Sequence, residues 1–212
     1  MKKEKLTMRK NVYRHVGRLL LFLATGFVFV TATVAQSSGS GNVRTDITQV
    51  RVFGSTTLIP YSGSSLSRNN DAVFTTFSTS QLVPGTVVSL WWVFFNNPKA
   101  CATEGCSVPD LFVPEVNASL HNAGAVVVGL DGRFTLASYK AAGDISAGHI
   151  LPGMPDPSPG LVNPRGAAIH LVVRSHGAAN ADPALLAQQL TQFNGGCPPN
   201  TCSNLQFALH NP

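Results

Sequence analysis

The chain has 212 residues, 15 Lys+Arg against 10 Asp+Glu, and a formal net charge of +5. The excess is local: seven cations (Lys2, Lys3, Lys5, Arg9, Lys10, Arg14, Arg18) and one acid, Glu4, precede residue 36, leaving eight basic and nine acidic side chains beyond it. The remainder is near neutral, which removes the electrostatic ground for binding nucleic acid, and its abundance of Val and Phe excludes a disordered chain.

Residues 1–35 read as a secretory signal peptide. A basic start leads into an apolar run from Leu19 to Val30, and the run closes on Thr33-Val34-Ala35 before a polar stretch. The 17 residues from 19 to 35 are at the short end for a spanning helix, and the small-residue exit favours cleavage over a retained anchor. The expected location is therefore secreted or periplasmic after cleavage near Ala35, with membrane contact only in transit. Residues 36–46 follow as a flexible Ser/Gly linker. Residues 47–212 then form a single domain, long enough to bury a substantial core.

Strand-like segments recur along this domain. Residues 47–53 are the first, and residues 72–77 follow a polar turn at 67–71. Residues 86–95, Thr-Val-Val-Ser-Leu-Trp-Trp-Val-Phe-Phe, are apolar on both faces, as a central strand covered on each side requires. Trp91 and Trp92 point oppositely there, which favours two core tryptophans over a sugar-stacking platform. Residues 116–128 and 133–140 flank Leu130-Asp131-Gly132, and Asp-Gly between extended segments predicts a hairpin. Residues 143–164 carry too many Pro and Gly for regular structure and read as a long surface loop. Residues 167–175 and 204–210 are the last strands. Between them, Asp182 caps a short helix with Pro183 at its first position, Leu186, Leu190 and Phe193 on one face, and Gly195-Gly196 as its stop. The expected fold is all-β with one short helix: an antiparallel β-sandwich, Ig-like or jelly-roll-like, with disulfide-tied loops.

Four cysteines fall in two equal spacings, Cys101 with Cys106 and Cys197 with Cys202. Three pairings are open, and local bridges within each spacing are the simplest. The rival is a four-thiolate zinc site, which an oxidising compartment disfavours. Period-two alternation puts Ile169, Leu171 and Val173 on one face of their strand and His170, Val172, Arg174 and His176 on the other. The same alternation separates Gln206, Ala208 and His210 from Leu205, Phe207 and Leu209, and Ser119 and His121 from Ala118 and Leu120. If those polar faces meet, His121, His170, His176 and His210 are the candidate ligands of a copper or zinc ion. In the plainer reading they line a solvent-facing or loop-capped face with no cofactor, and Arg174 pairs with Asp110 or Asp144. The nine acids form no close pair, and there is no nucleophile elbow, phosphate loop or dinucleotide fingerprint.

The blocks Leu90-Trp91-Trp92-Val93-Phe94-Phe95-Asn96-Asn97-Pro98, Ala168-Ile169-His170-Leu171-Val172-Val173-Arg174-Ser175-His176-Gly177 and Phe193-Asn194-Gly195-Gly196-Cys197 resemble a group of uncharacterised secreted single-domain proteins, mostly bacterial. That resemblance spans most of residues 50–210 and implies secretion and one domain, without an activity. Residues 129–140 followed by 168–176 are also similar to the CHRD domain, a β-sandwich module of extracellular proteins.

The leading expectation is a non-enzymatic extracytoplasmic binding or surface-interaction module for an extracellular macromolecule or surface. Its contact residues would include Arg174 on the strand and His149 in the Pro/Gly loop. A metal-binding or redox protein using the histidine face is the alternative, and a secreted hydrolase with residues gathered from loops is the third reading.

Overall fold

The computed structural model describes residues 42–197 and 201–212, so the signal-peptide and cleavage-site readings lie outside the described residues. Residues Ser40–Pro212 are assigned to one compact unit. Within it, two antiparallel sheets pack face to face. One has four strands: β1 (Arg44–Thr48), β3 (Gly63–Arg68), β4 (Ala72–Thr79) and β7 (Phe134–Ala141), in the order β1-β3-β4-β7. The other has six: β2 (Arg51–Val52), β5 (Thr86–Phe95), β6 (Ala118–Val127), β8 (Gly148–His149), β9 (Ala168–Ala178) and β10 (Ser203–His210), in the order β2-β10-β9-β5-β6-β8. The all-β sandwich expected from the sequence is the observed architecture.

β5 explains most of the packing. It lies between β9 and β6, as a strand apolar on both faces must. Val88, Leu90, Trp92 and Phe94 enter the core between the sheets, where they meet Leu66, Val73, Phe77 and Phe134. Trp91, Val93 and Phe95 emerge on the opposite, outer face into a second apolar cluster. Loops cover that face: the first cysteine loop with the short 3-10 turns Val108–Phe112 and Pro114–Val116, the Pro/Gly loop through Leu151 and Met154, and Phe193 beyond the helix. Both tryptophans are buried, Trp92 donating to Ser138 Oγ (3.2 Å) and Trp91 to Ser89 Oγ (2.7 Å).

Several local expectations are corrected. Pairing begins at Arg44, inside the segment assigned to a linker, and the single strand 47–53 is two. β1 ends at Thr48, fully buried Val50 marks the crossing, and β2 joins the other sheet. The turn assigned to 67–71 contains the end of β3, a strand hidden by its serines. The Asp131-Gly132 corner reverses the chain without making a hairpin: β6 pairs with β5 and β7 with β4, in different sheets. Gly132 is needed there, because its φ is +62° and a Cβ would meet Leu82 O at 2.8 Å. The helix α1 (Pro183–Thr191) is capped by Asp182 as expected, its carboxylate accepting from the amides of Ala184 and Leu185. Its buried residue is Gln189 rather than Leu186 or Leu190, because Gln189 Nε2 donates to the carbonyls of His176 and Ala178.

Candidate functional site

The outer face of the six-stranded sheet holds a partly open apolar cavity of about 180 Å³. Val93 and Phe95 of β5 and His170, Val172 and Arg174 of β9 supply its floor, and Val108, Leu111, Leu151 and Phe193 come from the covering loops.

β9 fixes those loops by their main chain. His170, Arg174 and His176 do share one face, as the alternation predicts, and each grips a carbonyl above it. A carbonyl only accepts, so His170 Nε2 carries the proton and donates to Gly105 O (2.7 Å), inside the first cysteine loop. Arg174 Nε donates to Phe193 O (2.7 Å), and His176 Nδ1 donates to Gly195 O (2.9 Å). The second nitrogen of a neutral His176 then accepts from Ser89 Oγ (2.7 Å), whose oxygen accepts from Trp91 Nε1. Burial pushes the pKa of both imidazoles down, against the opposing effect of these carbonyls, so both are neutral at pH 7.

Two local bridges tie the chain, Cys101–Cys106 within the first covering loop and Cys197–Cys202 between Phe193 and β10. Both fit an oxidising, extracytoplasmic environment. No helix among the described residues is long and apolar enough to cross a membrane. Asp110 stiffens the first loop: its buried carboxylate accepts from the amides of Ala102 (2.9 Å) and Ser107 (2.7 Å) and from Ser107 Oγ (2.7 Å). Burial raises its pKa, but those hydrogen bonds outweigh it and hold the carboxyl below the ordinary value.

The expected partners of Arg174 are therefore wrong. Asp110 is used in its own loop, and Asp144 pairs with Lys140 at 3.0 Å. Arg174 bonds neutral oxygens instead, with Nη1 to Asn204 Oδ1 (2.9 Å) and Nη2 to Asn194 Oδ1 (2.8 Å). Its guanidinium lies 4.0 Å above the Phe193 ring. His149 stacks on the Phe193 ring, 5.3 Å between centroids, and meets Trp91 edge-on at 6.1 Å.

The four candidate metal ligands do not share one face. In the observed register Leu209 lies opposite His170, which turns His210 to the inner face beside Ile169. His121 lies opposite Trp92, also on the inner face, with Nδ1 donating to Ser146 O (3.0 Å). His170 and His176 alone remain on the outer face. His176 lies near Cys197 and Cys202, with one potential ligand atom of each within 4.8 Å of the others, but the bridge occupies both sulfurs.

One constellation has no signature in the sequence. His210 Nδ1 donates to Asp46 Oδ2, and its Nε2 shares a 2.8 Å hydrogen bond with Ser64 Oγ. Arg68 Nε lies 3.5 Å from the same carboxylate, an ion pair without hydrogen-bond geometry. The connectivity is that of nucleophile, base and orienting acid. Ser64 and His210 are each only 1% exposed between the sheets, so a substrate carbonyl has no approach to the hydroxyl. The group acts as a buried clamp joining β1, β3 and β10.

Compared with known proteins, the chain matches no family model, no curated protein and no solved structure, so its site is read from its own geometry.

Proposed function

We propose that this is a secreted or periplasmic β-sandwich binding module, released by cleavage near Ala35, whose ligand site is the cavity on the outer face of the six-stranded sheet. The observation that carries this reading is the cavity itself: partly open, walled by apolar side chains, and furnished with Arg174, His170 and Asn204. A sheet forms its floor, and the covering loops form its walls through Val108, Leu111, Leu151 and Phe193, the usual division between scaffold and binding surface. Its volume of about 180 Å³ compares with the ~150 Å³ cavity known to hold one benzene molecule. A cavity of this size suits a small apolar group, whether free or projecting from a larger partner.

The test is a titration of the oxidised, secreted protein with toluene, followed by amide chemical shifts. Shifts concentrated on β5, β9 and the loop at Phe193, and abolished by Val172→Phe, support the site. Diffuse shifts, or none, in a folded protein overturn it. Intact mass of the same preparation checks the export reading, with an N-terminus at Gln36 expected and a retained leader refuting cleavage.

A further inference from the structure

Among the described residues, Arg174 is a cation without an anion. It is half-buried, and its three nitrogens donate to Phe193 O, Asn204 Oδ1 and Asn194 Oδ1, all neutral oxygens. No carboxylate among the described residues forms an ion pair with it. Burial lowers its pKa, with no acid opposing that effect. Removing a guanidinium from water is costly unless charge or full hydrogen bonding compensates. Here two of its five N–H groups, one on each terminal nitrogen, remain beyond the three bonds described. Asn194, Asn204 and the Phe193 ring hold the guanidinium plane in place, so binding an anion requires little further ordering.

The same residue lines the apolar cavity. We propose that the cavity takes a small apolar carboxylate of about one ring, with the ring against Val93, Phe95 and Val172 and the carboxylate on the Arg174 guanidinium. The inference rests on the cavity being the ligand site and adds the chemical class of its occupant. His170 offers no second anchor for an anion: its imidazole is neutral and its Nε2 proton is committed to Gly105 O, which leaves Arg174 as the one charged side chain lining the cavity among the described residues. The carboxylate is the group that planar, paired guanidinium donors match.

The deciding experiment is a ligand series on the oxidised secreted protein at pH 7 and low salt, using toluene, benzyl alcohol, benzoate and benzylammonium. Benzoate is expected to bind at least about tenfold tighter than benzyl alcohol, as a charge-assisted hydrogen bond predicts, with benzylammonium weakest. The preference should shrink at about 1 M salt, where the Debye length is ~3 Å. Arg174→Gln should erase it, leaving benzoate no tighter than benzyl alcohol in the variant, and Arg174→Lys should restore part of it. Because Arg174 also ties the loop at Phe193, the wild-type series decides the question without any variant. If toluene binds and benzoate does no better than benzyl alcohol, the carboxylate inference falls while the ligand site stands. If none of the four binds, the ligand-site reading falls and takes this inference with it.

Discussion

Asp46→Ala removes the only carboxylate that faces the buried Arg68 guanidinium among the described residues. The Arg68 side chain has no exposed surface, and its terminal nitrogens reach four carbonyls, those of Pro164 (3.3 Å), Ala167 (2.6 Å), His210 (3.1 Å) and Asn211 (3.1 Å). Stripping one partner from a buried pair costs about 3–5 kcal/mol. The Asp46 side chain keeps 24% exposure and the four carbonyls remain, so the cost falls at or below the lower end of that range, about 2–3 kcal/mol. For a domain of this size the melting temperature should fall by about 5–10 °C. Urea unfolding at pH 6 should show a lower midpoint with an unchanged slope.

The same carboxylate predicts the pH dependence. Burial raises the Asp46 pKa, but the His210 hydrogen bond and the charges of His210, Arg68 and Arg44 outweigh it and leave it below the ordinary value. Its folded pKa is thus below its unfolded one, so its stabilisation is complete above about pH 4 and is lost as pH falls through the folded value. The wild type and Asp46→Ala should be furthest apart near pH 6 and should converge in acid. A cost below about 0.5 kcal/mol at pH 6, within the range of ordinary surface substitutions, would refute the clamp. So would a gap that stays constant into acid.

Ser89→Ala should cost about 2–4 kcal/mol in urea unfolding, because it orphans two buried groups, Trp91 Nε1 and His176 Nε2. A loss under about 1 kcal/mol would mean that those groups find other partners. Gly195→Ala would place a Cβ 1.9 Å from Gln188 O, so the loop must move; about 1–3 kcal/mol and faster amide exchange over residues 193–197 are expected. Replacing Cys101 and Cys106 together by serine opens a short loop worth about 2 kcal/mol of chain entropy. It should also weaken toluene binding, since Val108 and Leu111 stand just beyond that loop; unchanged toluene affinity would detach the bridge from the site.

The strands that could be read from the sequence are those whose side chains announce their surroundings. β5 is apolar on both faces because it is covered on both, and β9 alternates because one face meets the core and the other carries polar hooks. β3 escaped because two of its inward residues are Ser64 and Arg68, buried through hydrogen bonds that no hydrophobic pattern records. The Asp131-Gly132 signal marked a reversal correctly, but turn chemistry does not say whether the flanking strands pair or part into separate sheets. The site was half legible for a similar reason. Alternation placed His170, Arg174 and His176 together, yet the face on which His210 falls depends on its register with β9. The partners of Arg174 are the Phe193 carbonyl, the Asn194 amide beyond the helix and the Asn204 amide in β10, whose distances from it exist only after folding. The Asp46–His210–Ser64 clamp joins residues up to 164 apart in sequence and left no local trace.

The grip of β9 on carbonyl oxygens has a consequence for how the site can change. His170, Arg174 and His176 recognise Gly105, Phe193 and Gly195 through atoms that nearly every residue type possesses. Loop side chains that face the cavity can therefore be exchanged while the loop path stays moored at the same three points. The mooring and the specificity are written in different atoms, so a library varied at Val108, Leu111 and Leu151 should yield new ligand preferences on an unaltered frame.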